Sequence, residues 1–339
     1  MSGLGGRGAA ALAVVVLLLA ALPWLGGAGT TRLATEMLCY LTQAQLWNLL
    51  AGFAGLVSVG QHAYVGLGGY TLFGLVLTAG IGPLWALPAA AALCALAALP
   101  AALLLFRLQG VYFSIGTWVV AAAWEELVAL LPDLGGGSGI SLPAAVTREL
   151  AASRALREQL IYGLALAVAL GVLVLVWLFL RSRLGLALRA MRDDTLAAAG
   201  AGVDVRRMRL LVYVLAAAGG GLVGVILFLG KLRISPESAF SLLDWTGFVL
   251  FIVIIGGIGT IMGPIVGTLL FFGMREILAG LGAWYLVLLG TVAVATMIFA
   301  PQGLWGWVAA RWRIPPFSTS RFPSKPVTTG NRPGSKRSG

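Results

Sequence analysis

The chain has 339 residues, of which 60% are hydrophobic and 10% charged, with a mean hydropathy of +0.97 and a formal net charge of +11. A soluble domain cannot hide that much apolar surface, so the bilayer is the solvent for most of the chain. The excess base does not form a nucleic-acid face: it sits in one internal loop and in residues 311–339, where topology and anionic lipid account for it.

The first apolar run, Ala9–Leu22, lies behind Arg7 and ahead of Trp24. It has the shape of a secretory signal peptide, and equally of a retained first span, which a polytopic chain needs no removable signal to insert. Further spans are expected at Leu33–Val57, Ala63–Thr78, Leu84–Phe106, Val111–Leu131, Gln159–Leu180 and Leu210–Leu229, with a polar connection from Ser138 to Arg157. Leu243–Leu278 is too long for one span of ~20 residues and short for two, so it reads as two short or re-entrant segments broken at Gly263-Pro264. Trp284–Ala300 is the last span. The expected fold class is an all-α polytopic membrane protein with about nine or ten transmembrane helices. Residues 1–32 hold the first span, 33–310 the transmembrane domain, and 311–339 a basic, disordered tail.

Arg181–Leu211 is the one long polar interruption. Arg181, Arg183, Arg189, Arg192, Arg206, Arg207 and Arg209 make it a loop that stays cytoplasmic. It also carries local order: helix formers over Leu186–Met191, Asp193 or Asp194 to cap a short helix Thr195–Ala199, Gly200 and Gly202 to end it, and Asp204 to cap the next span. The reading is a folded cytoplasmic elbow, against the simpler alternative of a solvated loop. With both termini inside, the cytoplasmic pieces carry sixteen of the 23 bases, as the positive-inside rule requires.

No soluble catalytic constellation is present. His62 is the sole histidine, so no multi-histidine metal site exists, and there is no Walker loop, so the chain does not itself hydrolyse ATP. Cys39 and Cys94 sit in apolar segments and are not expected to form a disulfide. Two glycine clusters stand out: Gly52 to Gly69, and Gly256 to Gly267, with Gly257 and Gly259 among them. Glycine-broken segments in two parts of a membrane chain point to a substrate path, or else simply let helices pack closely. Glu125 and Glu126, within a span, must face a cavity, a partner or the interface, and six residues before Pro132 they fit a shallow external position.

Five blocks in order resemble one family: Asn48–Tyr70 (NLLAGFAGLVSVGQHAYVGLGGY), Arg107–Trp118 (RLQGVYFSIGTW), Gly135–Pro143 (GGGSGISLP), Arg189–Leu211, and Ser235–Leu270 with IGGIGTIMGPIVG. Together they are similar to the LivM-type permease of branched-chain amino acid ABC importers, in a superfamily whose other members carry sugars, urea or amides. Two positions depart from the family pattern: Ala122 stands near an expected acidic residue, and Ser138 alone stands in the glycine-rich connection where asparagine is expected.

The resemblance implies a permease subunit, not an enzyme, in a bacterial-type cytoplasmic (inner) membrane. Its expected partners are a second related permease of LivH type, two cytoplasmic ATPases that use ATP and Mg, an extracytoplasmic solute-binding protein and lipid; no cofactor is expected on this chain. It further implies ATPase coupling through Arg189, Arg192, Asp193, Asp194, Ala198, Gly200 and Gly202. The expected pathway passes Asn48, Ser58, Gln61, Ser114, Thr117, Glu125, Gly257 and Gly259. The competing class, a secondary transporter driven by an ion gradient, would want ionisable residues at mid-membrane, and apart from Glu125 and Glu126 the sequence has almost none.

Overall fold

The computed structural model describes residues 6–312 apart from 152, 279, 281, 283 and 301; the tail expected to be disordered lies almost wholly outside the described residues. The chain is helical nearly throughout. In order it forms α1 (Gly6–Leu25), α2 (Ala28–Asn48), α3 (His62–Thr78), α4 (Ala86–Leu105) and α5 (Val111–Ala129). Then come α6 (Ala144–Leu150), α7 (Arg154–Arg181), α8 (Arg183–Asp193), α9 (Thr195–Gly200) and α10 (Val205–Lys231). The last are α11 (Pro236–Ala239), α12 (Phe248–Gly256), α13 (Met262–Leu278), α14 (Trp284–Phe299) and α15 (Gly303–Trp312). A two-residue antiparallel ladder, β1 (Ile140–Ser141) on β2 (Arg233–Ile234), staples the α5–α6 connection to the turn after α10.

Among the described residues four stretches are long and apolar enough to cross a membrane unbroken: Pro83–Leu105, Arg154–Arg181, Val205–Lys231 and Pro236–Gly256. The last of these includes a π-helical turn ahead of α12. The others expected from the sequence are shorter, less apolar or broken. The expected span Leu33–Val57 stops being α-helical at Asn48, passes through a π-helical turn, Leu49–Phe53, and continues as irregular backbone to α3. The break in the Leu243–Leu278 run falls at residues 257–261, not at Gly263-Pro264. Gly257 (φ 122°) and Gly259 (φ 76°) take backbone conformations closed to other residues, whereas Pro264 sits in the first turn of α13, where its missing N–H leaves nothing unpaired. The polar connection holds a helix of its own, α6.

The core seam is α10 against α3 and α4, with α2 alongside. Its backbones approach too closely for side chains between them: a Cβ on Gly68 would run into the Gly221 carbonyl, and one on Gly224 into the Val65 carbonyl. Close small-residue contact replaces the hydrophobic drive that lipid cannot supply. Cys39 and Cys94 are buried and free.

Both broken segments are hairpins. The start of α2 and the end of α13 are tied by Arg275, whose Nη1 and Nη2 donate to Glu36 Oε1 and Oε2 at 2.8 and 2.9 Å. Lys231, closing α10, lies 4.8 Å from the ring of Trp245, which leads into α12. The α12–α13 pair therefore leaves and returns at the end where α2 begins, and its tip points toward α8. The α2–α3 pair does the same: Tyr70 of α3 stacks on Phe240, just beyond α11.

Candidate functional site

The two hairpin tips meet. Asn48, the last residue of α2 and wholly buried, closes the junction with one side chain: its Nδ2 donates to the Thr260 carbonyl at 2.8 Å and its Oδ1 accepts from Gly259 N–H at 2.7 Å. One turn earlier, Gln45 Nε2 donates to the Ile261 carbonyl at 2.7 Å. Thr260 Oγ1 bridges within the tip, donating to the Gly257 carbonyl and accepting from Gly263 N–H, each at 2.9 Å. There is no room for side chains at the contact, since a Cβ on Gly52 would lie 2.6 Å from Gly259 N. Of the expected pathway residues, Asn48, Gly257 and Gly259 are thus brought together, across more than two hundred residues of sequence.

Ser58, Gln61, Ser114 and Thr117 form a second group around the irregular segment between Gly55 (φ 69°) and Gly60. Ser114 Oγ donates to the Val57 carbonyl (2.6 Å), Thr117 Oγ1 accepts from Val59 N–H (3.0 Å), and Trp47 Nε1 donates to the Ser58 carbonyl (2.7 Å). Gln61 Nε2 donates to Ser58 Oγ at 3.3 Å. Irregular backbone inside a membrane is tolerated only where protein or a cavity satisfies its polar groups, and α5 supplies that here. Gly55 and Val57 stay exposed on the outer side of the segment. The structure does not bring Glu125 to this group. It lies eight residues beyond Thr117 on α5, about 12 Å further along the helix, where its charged neighbours are Glu126 and Glu237.

Two buried amides, Gln43 and Gln45, escape a reading of the sequence. Gln43 is 2% exposed and neither of its amide atoms has a protein partner; Gln45 Oε1 and Gln61 Oε1 are likewise buried and unpaired. His62 meets Thr246, which accepts from the His62 backbone N–H (3.3 Å) and sits 3.0 Å from His62 Nδ1. The available signal is the run Thr42 to Asn48, three amides in seven residues of a helix that already carries Arg32 and Glu36 in its first half.

The elbow lies under the junction. Ser182 caps α8, and Asp194 caps α9, its Oδ1 accepting from Leu196 N–H (2.8 Å) and Ala197 N–H (3.0 Å). Gly202 (φ 89°) turns the chain, and Asp204 caps α10 by accepting from Arg207 N–H at 3.0 Å. Leu188, Met191 and Ala198 face inward. Ala198, expected on the contact surface, is therefore in the packing instead. The exposed face presents Arg192, Asp193, Asp194 and Gly200, with Leu196 at 85% exposure and Arg189 half-buried beside them. Arg192 reaches from this face to the hairpin tip: a Cβ on Gly259 would lie 2.5 Å from its Nη1.

Over residues 29–301 the chain matches the family described as branched-chain amino acid transport system / permease component. The chain belongs to that family. The permease is 29% identical, over 319 aligned residues covering 86% of this chain and 74% of the relative, to the high-affinity branched-chain amino acid transport system permease protein LivM of Escherichia coli. It is 28% identical, with the same coverage, to the protein of that name from Salmonella typhimurium. A probable branched-chain amino acid transport permease protein LivM of Methanocaldococcus jannaschii is 28% identical over 43% of this chain and 41% of its own. No solved structure matches. The permease is thus a multi-pass membrane protein and a transport component rather than an enzyme, and its all-α architecture agrees.

Proposed function

We propose that the permease is the transmembrane subunit of an ATP-driven importer for branched-chain or related amino acids. It sits in the cytoplasmic (inner) membrane with both termini and the elbow inside. A related LivH-type permease stands beside it, two ATPases using ATP and Mg dock beneath, and a solute-binding protein delivers cargo from outside. Residues 33–310 form the transport domain.

The observation that carries this reading is the stack of elbow, hairpin tip and α2. An ATPase gripping Arg189, Arg192, Asp193, Asp194 and Gly200 moves a capped, rigid elbow; Arg192 passes the push to the tip at Gly257 and Gly259, and Asn48 passes it to α2. The cargo then passes the segment bearing Ser58 and Gln61, braced by Ser114 and Thr117, whose outer side at Gly55 and Val57 is open toward the second permease. Glu125 guards the far mouth of that path.

Reconstitution tests it. Vesicles holding the permease alone take up no radiolabelled leucine against a gradient. Vesicles holding the whole assembly, with ATP inside the compartment that faces the ATPases, concentrate it. Gradient-driven uptake by the permease alone sinks the proposal.

A further inference from the structure

At the end opposite the elbow, α2, α7 and α10 enclose a cavity of about 530 Å³. Four cations line it, Arg32, Arg154, Arg157 and Lys231, against two carboxylates, Glu36 and Glu158. Both carboxylates are already committed. Glu158 accepts from Arg32 and, at 3.2 Å, from Arg154, while Glu36 holds Arg275 in a two-bond fork. Among the described residues, Arg157 has no carboxylate within ion-pair distance. Lys231 lies over the rings of Phe228 and Trp245 with Asp244 and Glu36 as its charged neighbours, neither close enough to pair. The cavity therefore keeps an uncompensated positive charge.

Its depth matters as much as its sign. With 28 residues, α7 is about 42 Å long, so its ends reach past a hydrocarbon core of ~30 Å to headgroup level. Arg154 and Arg157 stand at that rim, and Ile161, one turn below, joins Ile226 and Leu227 as an aliphatic floor. A cationic rim above an aliphatic floor, at the boundary between headgroups and acyl chains, is complementary to an anionic amphiphile.

The geometry points to a binding site for a glycerolipid of net negative charge, whose phosphate is not neutralised by a cationic headgroup: Arg157 and Lys231 hold the phosphate, and the first part of an acyl chain lies on Ile161, Ile226 and Leu227. A bound lipid would bridge α2, α7 and α10 at the end where Arg275 and Glu36 join the two hairpins.

The full-length protein in phosphatidylcholine nanodiscs, titrated with fluorescent phosphatidylglycerol, tests the site. Arg157→Gln and Lys231→Gln each weaken binding about fivefold and the double variant about 25-fold. Arg157→Lys stays near the unchanged protein, and so does Arg148→Gln, which removes an equal charge from α6 at the same end. Thermal unfolding of each variant checks that it is folded, and should a glutamine variant not fold, Arg157→Met, which keeps the aliphatic stem without the charge, takes its place with the same fivefold loss expected. Binding that is equal in all variants, or lost equally in Arg148→Gln, overturns the site. Millimolar inorganic phosphate that displaces the lipid completely shows that free phosphate is the ligand and overturns the lipid assignment; persistence of the lipid in phosphate supports it.

Discussion

Asn48 does more with four side-chain atoms than any other residue of the junction. It is donor to one backbone carbonyl and acceptor from the N–H next to it, so it reads the tip of the second hairpin as a base pair reads its complement. Asn48→Ala leaves both groups short of a partner and costs about 1–2 kcal/mol. Asn48→Asp keeps the acceptor but sets a carboxylate against the Thr260 carbonyl, in a wholly buried position. We expect the assembled transporter with Asn48→Ala to hydrolyse ATP while uptake falls about tenfold or more, which is the effect of some 1.4 kcal/mol in the coupling. Parallel loss of both activities would put Asn48 in folding alone. The sequence marks Asn48 as polar in an apolar stretch, but its partners are not legible there. They lie more than two hundred residues away, and no periodicity or window reports a pairing between distant backbone groups. Gln43 and Gln45 are missed for a related reason: averaging over a span dilutes two amides among their apolar neighbours.

At the scale of elements, the elbow was the most legible part of the chain and the hairpins the least. Capping is local chemistry: of the two candidates Asp193 and Asp194 it is Asp194 that caps α9, and Asp204 caps α10 as expected, each within three residues. The cluster Gly256 to Gly267 announces a break but not its place, because which glycines take positive φ is set by the tertiary contact, and Pro264 drew the expected break several residues too far along. The elbow separates two kinds of variant. Asp194→Ala removes the cap of α9 and costs about 1 kcal/mol, a structural loss. Gly200 is exposed, has an ordinary backbone and has nothing within 4 Å of where a Cβ would stand, so a side chain such as that of Gly200→Trp starts outward into open space. The variant's thermal midpoint should stay with the unchanged protein while uptake by the assembly is lost. An assembled Gly200→Trp variant with normal uptake would remove α9 from the contact with the ATPases.

For the molecule as a whole, the class was legible from composition alone, and the architecture was not, because two apolar stretches are broken at tips whose pairing with each other leaves no local signature. What joins their outer ends is the fork between Arg275 and Glu36, about one-third exposed on each side. Reversing either charge alone should lower the thermal midpoint by about 2–4 °C, the equivalent of roughly 1 kcal/mol, and Glu36→Arg combined with Arg275→Glu should recover most of it; no recovery would mean the pair carries no coupling. The seam of α3 on α10 limits what such a machine can do. With carbonyls resting where Cβ atoms would stand at Gly68 and Gly224, and with the Tyr64 hydroxyl bonded to that of Tyr213 at 2.9 Å, those two helices are locked in register. They act as a keel, and the α12–α13 hairpin, whose Trp245, Phe248, Phe271 and Phe272 rings gather around Tyr40 of α2, must travel with α2 rather than past it when the elbow is pushed.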